Sequence, residues 1–196
     1  MKEVSRRAWL AGLGLAAGAG LGAAARGLGA ATPRRRLLRP PGAAGEAELL
    51  AACIRCGQCV EACPYGTLEP ASWREGMAMG SPHVRDARDV PCYLCRDHEE
   101  LLCIAACPTG ALREVAGIES IRMGVAEIDE ETCLAHQGVV CRVCWHTCPL
   151  PGGAIRFGPR LRPVVDADTC IGCGICEHAC LTDPASIRVR PAGEGG

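Results

Sequence analysis

Sixteen cysteines in four groups of four are the side chains of this chain that could do chemistry. The last group, Cys170, Cys173, Cys176 and Cys180, follows the spacing C-x2-C-x2-C-x3-C. At that spacing three thiolates hold three irons of one [4Fe–4S] cube, and the fourth reaches a neighbouring cube. Two-residue gaps wrap the backbone around successive corners and turn its N–H groups toward sulfur, an anion-binding concavity. Gly172 and Gly174 supply the positive φ that such a wrap requires. The x3 gap is one helical turn, which points Cys180 away from its own loop.

Similar runs recur, so the chain is a repeat. Run one is Cys53, Cys56, Cys59 and Cys63, at the spacing of run four. Run two is Cys92, Cys95, Cys103 and Cys107, spaced C-x2-C-x7-C-x3-C. Run three is Cys133, Cys141, Cys144 and Cys148, spaced C-x7-C-x2-C-x3-C. Together the runs use every cysteine. Pro64, Pro108 and Pro149 follow the fourth Cys of runs one to three and end a short helix there; run four has Leu181 instead, with Pro184 further on. The donor set implies four [4Fe–4S] clusters, with all sixteen cysteines as ligands. Zinc or disulfides are the alternative, a structural scaffold, and the least favoured one, because C-x2-C-x2-C with a trailing Cys-Pro is not zinc-ribbon spacing. No dinucleotide-binding glycine motif and no Ser/His/Asp arrangement is visible, so no catalytic residue is assigned.

Short elements must carry these loops. Gly124–Asp129 and Arg162–Asp166 are β-like and enter runs three and four; Gly110–Arg113 and Gly153–Phe157 are the returning strands. Leu68 to Val90, with Trp73, Met77 and Met79, shows no periodicity and is expected to be a connecting loop packed on the body. The x7 inserts carry His98 and His136, surface or supporting groups beside complete thiolate sets. Tyr93, Trp145, His146 and His178 adjoin cysteines and are expected to cover sulfur and limit water access.

Ferredoxin-type runs work in pairs, each lending its fourth Cys to its partner. Sequential pairing joins one with two and three with four; nested pairing joins one with four around two with three. Runs one and four share regular spacing, runs two and three share inserts, and a strand-turn-strand from Ala111 to Asp129 links the latter, which favours nesting. The nested quartets are Cys53, Cys56, Cys59 with Cys180; Cys170, Cys173, Cys176 with Cys63; Cys92, Cys95, Cys103 with Cys148; and Cys133, Cys141, Cys144 with Cys107. The expected fold class is α+β: two bacterial-ferredoxin-like dicluster units of short strands and short helices, preceded by an Ala/Gly-rich signal helix. Residues 1–31 form a leader, 32–45 a linker, 46–91 with 158–192 an outer domain, and 92–157 an inner one.

Composition agrees with a metal-dependent fold. Of 196 residues 48% are hydrophobic, but that share counts the cysteines and an Ala-rich leader, and aromatics are only 3%. A small domain short of core needs crosslinks, which clusters provide, and without them it unfolds. From Glu46 onward there are 13 Lys and Arg against 21 Asp and Glu, a net of −8. Oxidised cubes with four thiolates add about −2 each, so the body is anionic, which argues against nucleic acid and for a partner with a basic docking face such as a cytochrome.

The N-terminus, Ser5-Arg6-Arg7-Ala8-Trp9-Leu10 before an Ala/Gly/Leu stretch, has the form of a Tat export signal. That route fits a protein whose clusters are inserted before export. The following Arg34-Arg35-Arg36 and Pro40-Pro41 have linker composition, a solvated segment.

The twin arginines, the opening Cys53-Ile-Arg-Cys56-Gly-Gln-Cys59-Val-Glu-Ala-Cys63-Pro-Tyr65-Gly, Ala71-Ser-Trp73, Ala87-Arg-Asp-Val-Pro91-Cys92 and the C-x7-C-x2-C-x3-C-P of run three resemble the NapG/MauM ferredoxin-type family over nearly the whole chain. The x7 insert of run two departs from that family's shorter spacing. The resemblance implies a periplasmic electron carrier with four [4Fe–4S] clusters at the outer face of the inner membrane. Its implied partners are a membrane-embedded quinol-oxidising protein of the NapH type, part of a quinol dehydrogenase system, and a periplasmic cytochrome or reductase such as nitrate reductase. A methylamine-utilisation ferredoxin and the iron–sulfur subunit of a larger molybdenum-type oxidoreductase are the alternatives.

Overall fold

The computed structural model describes residues 36–193. The expected leader, with its twin arginines, lies outside the described residues. In chain order the α-helices, the strands and the longest 3-10 segment are α1 (Glu46–Ala52), α2 (Gln58–Glu61), β1 (Leu68–Pro70), a 3-10 segment (Trp73–Ala78), β2 (Pro82–Val84), α3 (Leu102–Ala105), β3 (Gly124–Ile128), α4 (Val143–Thr147), β4 (Ile155–Phe157), β5 (Pro163–Val165), α5 (Ile175–His178) and β6 (Ile187–Pro191). Each run gives its second half to one of the short helices, and the prolines keep both helices and strands short. Among the described residues no helix is long and apolar enough to cross a membrane.

The strands form three antiparallel pairs, β1 with β2, β3 with β6 and β4 with β5. Their registers oppose Leu68 to Val84, Ile128 to Ile187 and Ile155 to Val165. One apolar cluster gathers Leu49, Leu68, Val84, Ile121 and Ile171 with Cys103 and Cys173; a second gathers Ala126, Ile155 and Ile187 with Cys170 and Cys176. Cysteine thus forms part of both cores. The result is the small α+β fold expected, of few and short elements.

Three expectations need correction. Residues 36–45 are not a solvated linker. Arg39 is only 7% exposed and donates to Glu46 Oε2 at 2.7 Å, Ser81 Oγ at 3.0 Å and the Pro82 carbonyl at 2.8 Å. Leu38 O accepts from Val84 N–H and Gly42 O from Arg113 N–H, both at 2.8 Å. Proline and glycine there shape a strap, because a buried guanidinium must have acceptors on every side. Leu68 to Val84 is not irregular either, since β1 and β2 close a hairpin over the 3-10 segment, leaving Trp73, Met77 and Met79 exposed.

The third correction is the nesting. Helix α2 packs on α3, and α4 on α5, so run one faces run two and run three faces run four. The division into 46–91 with 158–192 around 92–157 therefore does not describe the packing. Ala111–Asp129 forms no hairpin of its own. Its strand β3 pairs instead with β6, the strand leaving run four, from Gly124↔Pro191 to Ile128↔Ile187. Leu112, leaving run two, bridges Ala43 ahead of run one. Backbone pairing outside the runs outweighed the resemblance in their spacing.

Candidate iron–sulfur sites

All sixteen candidate cysteines are free thiols, and the fold gathers them in four quartets. In quartet A, Cys53, Cys56 and Cys59 of run one line one cavity with Cys107 of run two. In quartet B, Cys95 and Cys103 of run two have Cys63 of run one close enough to raise their pKa values, and Cys92 stands beside both Cys95 and Cys103. In quartet C, Cys170, Cys173 and Cys176 of run four share a cavity with Cys148 of run three. In quartet D, Cys133, Cys141 and Cys144 of run three share one with Cys180 of run four. Each run does lend its fourth thiol across, as its spacing implies, but the exchange is sequential.

The quartets stand in a row. Cys59 of A raises the pKa of Cys103 in B, and Cys144 of D that of Cys176 in C. The middle step is bridged by one hydrogen bond: Cys92 N–H of B donates to the Cys173 carbonyl of C at 2.9 Å. Arg88 clamps this junction, a role its sequence neighbours gave no sign of. Its guanidinium donates to the carbonyls of Glu177 at 2.7 Å, Cys180 at 2.8 Å and Thr182 at 3.1 Å, satisfying the end of α5. In return Arg88 O lies 2.8 Å from His178 Nδ1.

Several thiols in the row resist ionisation on their own. Burial, with smaller contributions from neighbouring cysteines, pushes Cys103 up to about 12 and Cys59, Cys144 and Cys173 up to about 11. Two thiols go the other way. Burial raises Cys107, but N–H groups of Leu112 and Thr109 and the Thr109 hydroxyl outweigh it and lower its pKa. Burial raises Cys180 too, and the Thr182 hydroxyl with the N–H groups of Thr182, Ser186 and Ile187 outweighs it. Both are the lent thiols of the end quartets, A and D. Elsewhere Ala126 N–H points at Cys170 Sγ, 3.4 Å away.

Around the quartets, Tyr93 packs tilted at 5.0 Å on Tyr65 and edge-on at 6.3 Å to His178, while Trp145 packs at 5.5 Å on Phe157 and edge-on at 5.0 Å to His146. His98 is exposed. His136 is held between Glu130 Oε2 at 3.4 Å and the Pro163 carbonyl at 3.4 Å, a supporting position.

This donor set fits an iron–sulfur cube. In every quartet at least one thiol is pushed up by burial and by neighbouring cysteines, so four thiolates form together only around a centre of several positive charges.

Comparison with known proteins agrees. The family described as "4Fe-4S dicluster domain" matches residues 52–111, both runs of the A/B pair, and "4Fe-4S binding domain" matches residues 161–181. The methylamine utilization ferredoxin-type protein MauM of Paracoccus denitrificans is 42% identical over 80% of this chain and 72% of its own. The ferredoxin-type protein NapG of Escherichia coli is 42% identical over 79% of this chain and 70% of its own. MauM of Methylorubrum extorquens is 42% identical over 97% and 90%. These relatives are ferredoxin-type proteins, and this chain is likewise an iron–sulfur electron-transfer protein and not an enzyme acting on a substrate. With such identity spread across most of each chain, and the dicluster pattern over runs one and two, it belongs to the NapG/MauM ferredoxin-type family.

Proposed function

We propose that this chain is a periplasmic electron carrier holding four [4Fe–4S] clusters on its sixteen cysteines. It takes electrons from a membrane-embedded quinol-oxidising partner of the NapH type and relays them toward a periplasmic cytochrome or reductase such as nitrate reductase. The observation that carries this reading is the unbroken row from quartet A through B and C to D. When bound, each cube supplies a one-electron store that cycles between the 2+ and 1+ states. The chain does the remaining work. Its thiolates hold each centre, its loops bring neighbouring centres together, and its N–H and O–H groups set how easily each accepts charge.

Twin arginines and Trp9-Leu10 in the N-terminal segment support export through the Tat route. Identity of 42% to both MauM and NapG also supports a second branch, in which the same relay serves methylamine oxidation. The test is anaerobic purification of the full chain. We expect about sixteen irons and sixteen acid-labile sulfides per chain, four cubes' worth, and broad visible absorption that bleaches with dithionite. A colourless protein containing zinc, or no metal, would end the reading.

Thr182 offers a finer check. Its hydroxyl oxygen accepts from Ser186 N–H at 2.8 Å and lies 2.7 Å from Ser186 Oγ and 3.2 Å from Cys180 Sγ; because a ligand thiolate can only accept, the Thr182 proton turns to sulfur when the Ser186 hydroxyl donates to Thr182. A hydrogen bond to a thiolate favours the reduced, more negative cluster. Thr182→Val should lower the potential of one cluster, that of quartet D, by up to about 60 mV, taking about 1.4 kcal/mol of such a bond as the difference between oxidation states. An EPR-monitored redox titration measures it, and unchanged potentials would deny Thr182 this role.

A further inference from the structure

The row has two ends, and several exposed large apolar side chains of the described residues lie near them. Ile54 and Met77 lie by quartet A; Val139, Val140, Leu161 and Leu181 lie by quartet D. The D end differs in being concave. A cleft of about 360 Å³ is lined by Val139, Val140 and Leu161 together with Arg142, Arg160 and Arg162. Cys141 lines this cleft and also the cavity of quartet D, so the cleft is separated from the end quartet by one ligand.

The charge here opposes that of the molecule. From Thr132 to Val165 there is no Asp or Glu, but four Arg and two His, within a body whose net charge is −8. Among the described residues none of the three cleft arginines is in an ion pair. Arg142 lies 5.6 Å over the Phe157 ring, and Arg162 donates to His136 O at 3.2 Å. The nearest carboxylates are engaged at the edge, Glu130 with His136 and Asp166 with Arg156. Arg160 and Leu161 both hold φ near +58°, a left-handed conformation that costs non-glycine residues energy. The turn is tied below them by Gly158 N–H to Arg162 O at 2.8 Å. Val140 is 83% exposed beside these cations.

We infer that the Arg142/Arg160/Arg162 cleft is the docking site of a soluble redox protein with an acidic rim around an apolar centre, exchanging electrons through quartet D. The inference rests on the electron-carrier reading above. Overall charge points to a basic partner, but at this end the local charge is reversed. An acidic protein is repelled by the net charge of the body and attracted at this carboxylate-free stretch, so the cleft both speeds encounter and sets orientation. Val139, Val140 and Leu161 then supply the dry centre, with the guanidinium groups at its rim.

The test uses the full-length holoprotein, reduced anaerobically and mixed in a stopped-flow instrument with an acidic c-type cytochrome, with a basic one of similar potential as comparator. Oxidation by the acidic cytochrome should slow severalfold between about 20 and about 200 mM salt, as attraction is screened. Arg142→Glu with Arg160→Glu should slow it about tenfold at low salt, while Arg85→Glu with Arg113→Glu, the same charge change outside the cleft, alters it less than about twofold. Should the double reversal lose iron, the single Arg160→Gln at the exposed turn gives the same signal, about a twofold to threefold fall. A rate that rises with salt, a rate indifferent to the cleft arginines, or a preference for the basic cytochrome overturns the proposal. So does loss of binding to phosphatidylglycerol vesicles in the variant with cytochrome reduction unchanged, which would make the cleft a lipid contact. Failure of the electron-carrier reading itself shows earlier, as a protein without iron before any mixing.

Discussion

Stripping iron from the holoprotein with an oxidant and a chelator should unfold residues 36–193 as a body, raising the radius of gyration from about 15 Å toward about 40 Å in small-angle scattering. The reason is how little the chain can bury by itself. Among the described residues the helices run from four to seven residues, too short to stand alone in water. Its sheets are two-stranded pairs, each marginal without further cover. Cys103 and Cys173 sit within one apolar cluster, Cys170 and Cys176 within the other, so removing the metal leaves holes at the points where the elements meet. Alkaline pH does not rescue the stripped chain. Thiols such as Cys59 and Cys173, raised from 9.0 to about 11 in the folded arrangement, stabilise it fully below pH 9 and lose that contribution as pH rises through their folded values. Iron acts in the opposite sense, taking up thiolates and releasing protons. An apoprotein that stays near 15 Å and melts cooperatively would refute this dependence.

Much of the site was legible because ligation chemistry acts locally. The spacing named all sixteen thiols and required each run to lend its fourth to another, which Cys63, Cys107, Cys148 and Cys180 do. Which run receives which thiol is decided elsewhere, by β3 pairing with β6 and Leu112 bridging Ala43. Those are contacts between segments far apart in sequence, and no property of the cysteine runs encodes them. Residues 36–45 differ from a linker for a related reason: proline, glycine and alanine look alike in a linker and in a strap, and only the burial of Arg39 against Glu46, Ser81 and Pro82 separates the two. Arg88 shows no periodicity or spacing that marks it, since its partners are backbone carbonyls some 90 positions later. The cleft at quartet D was written in the sequence as a stretch without carboxylates, but it becomes a site only where the turn at Arg160 folds beside Val140 and Cys141.

Gly172→Ala should cost far more than Gly57→Ala, although both glycines sit in cysteine loops at positive φ, +73° and +77°. The wrap around sulfur does not by itself demand glycine. At the position of run one that matches Gly172, Arg55 holds φ +58°, and in run two Leu94 holds +56°. Left-handed backbone thus costs a side chain roughly 1 kcal/mol, which those runs tolerate. Gly172 is needed for a different reason, the approach of the strand that pairs with β6. A Cβ there would lie 2.6 Å from Gly124 O and 2.7 Å from Gly124 C, backbone atoms with no freedom to turn aside. At Gly57 the added carbon meets nothing within 4 Å. Gly124 heads β3, and the neighbouring Met123 N–H bonds Ile171 O at 3.0 Å, so pushing the two loops apart breaks the seam between quartet C and the strand that supports it. We expect Gly172→Ala to lose at least the cluster of quartet C, about a quarter of the iron, and with it the link between B and D. Gly57→Ala should keep full iron and lose about 1 kcal/mol of stability. Iron analysis and EPR on the two variants side by side measure the difference, and equal iron in both would mean that the loops can separate without losing the centre they hold.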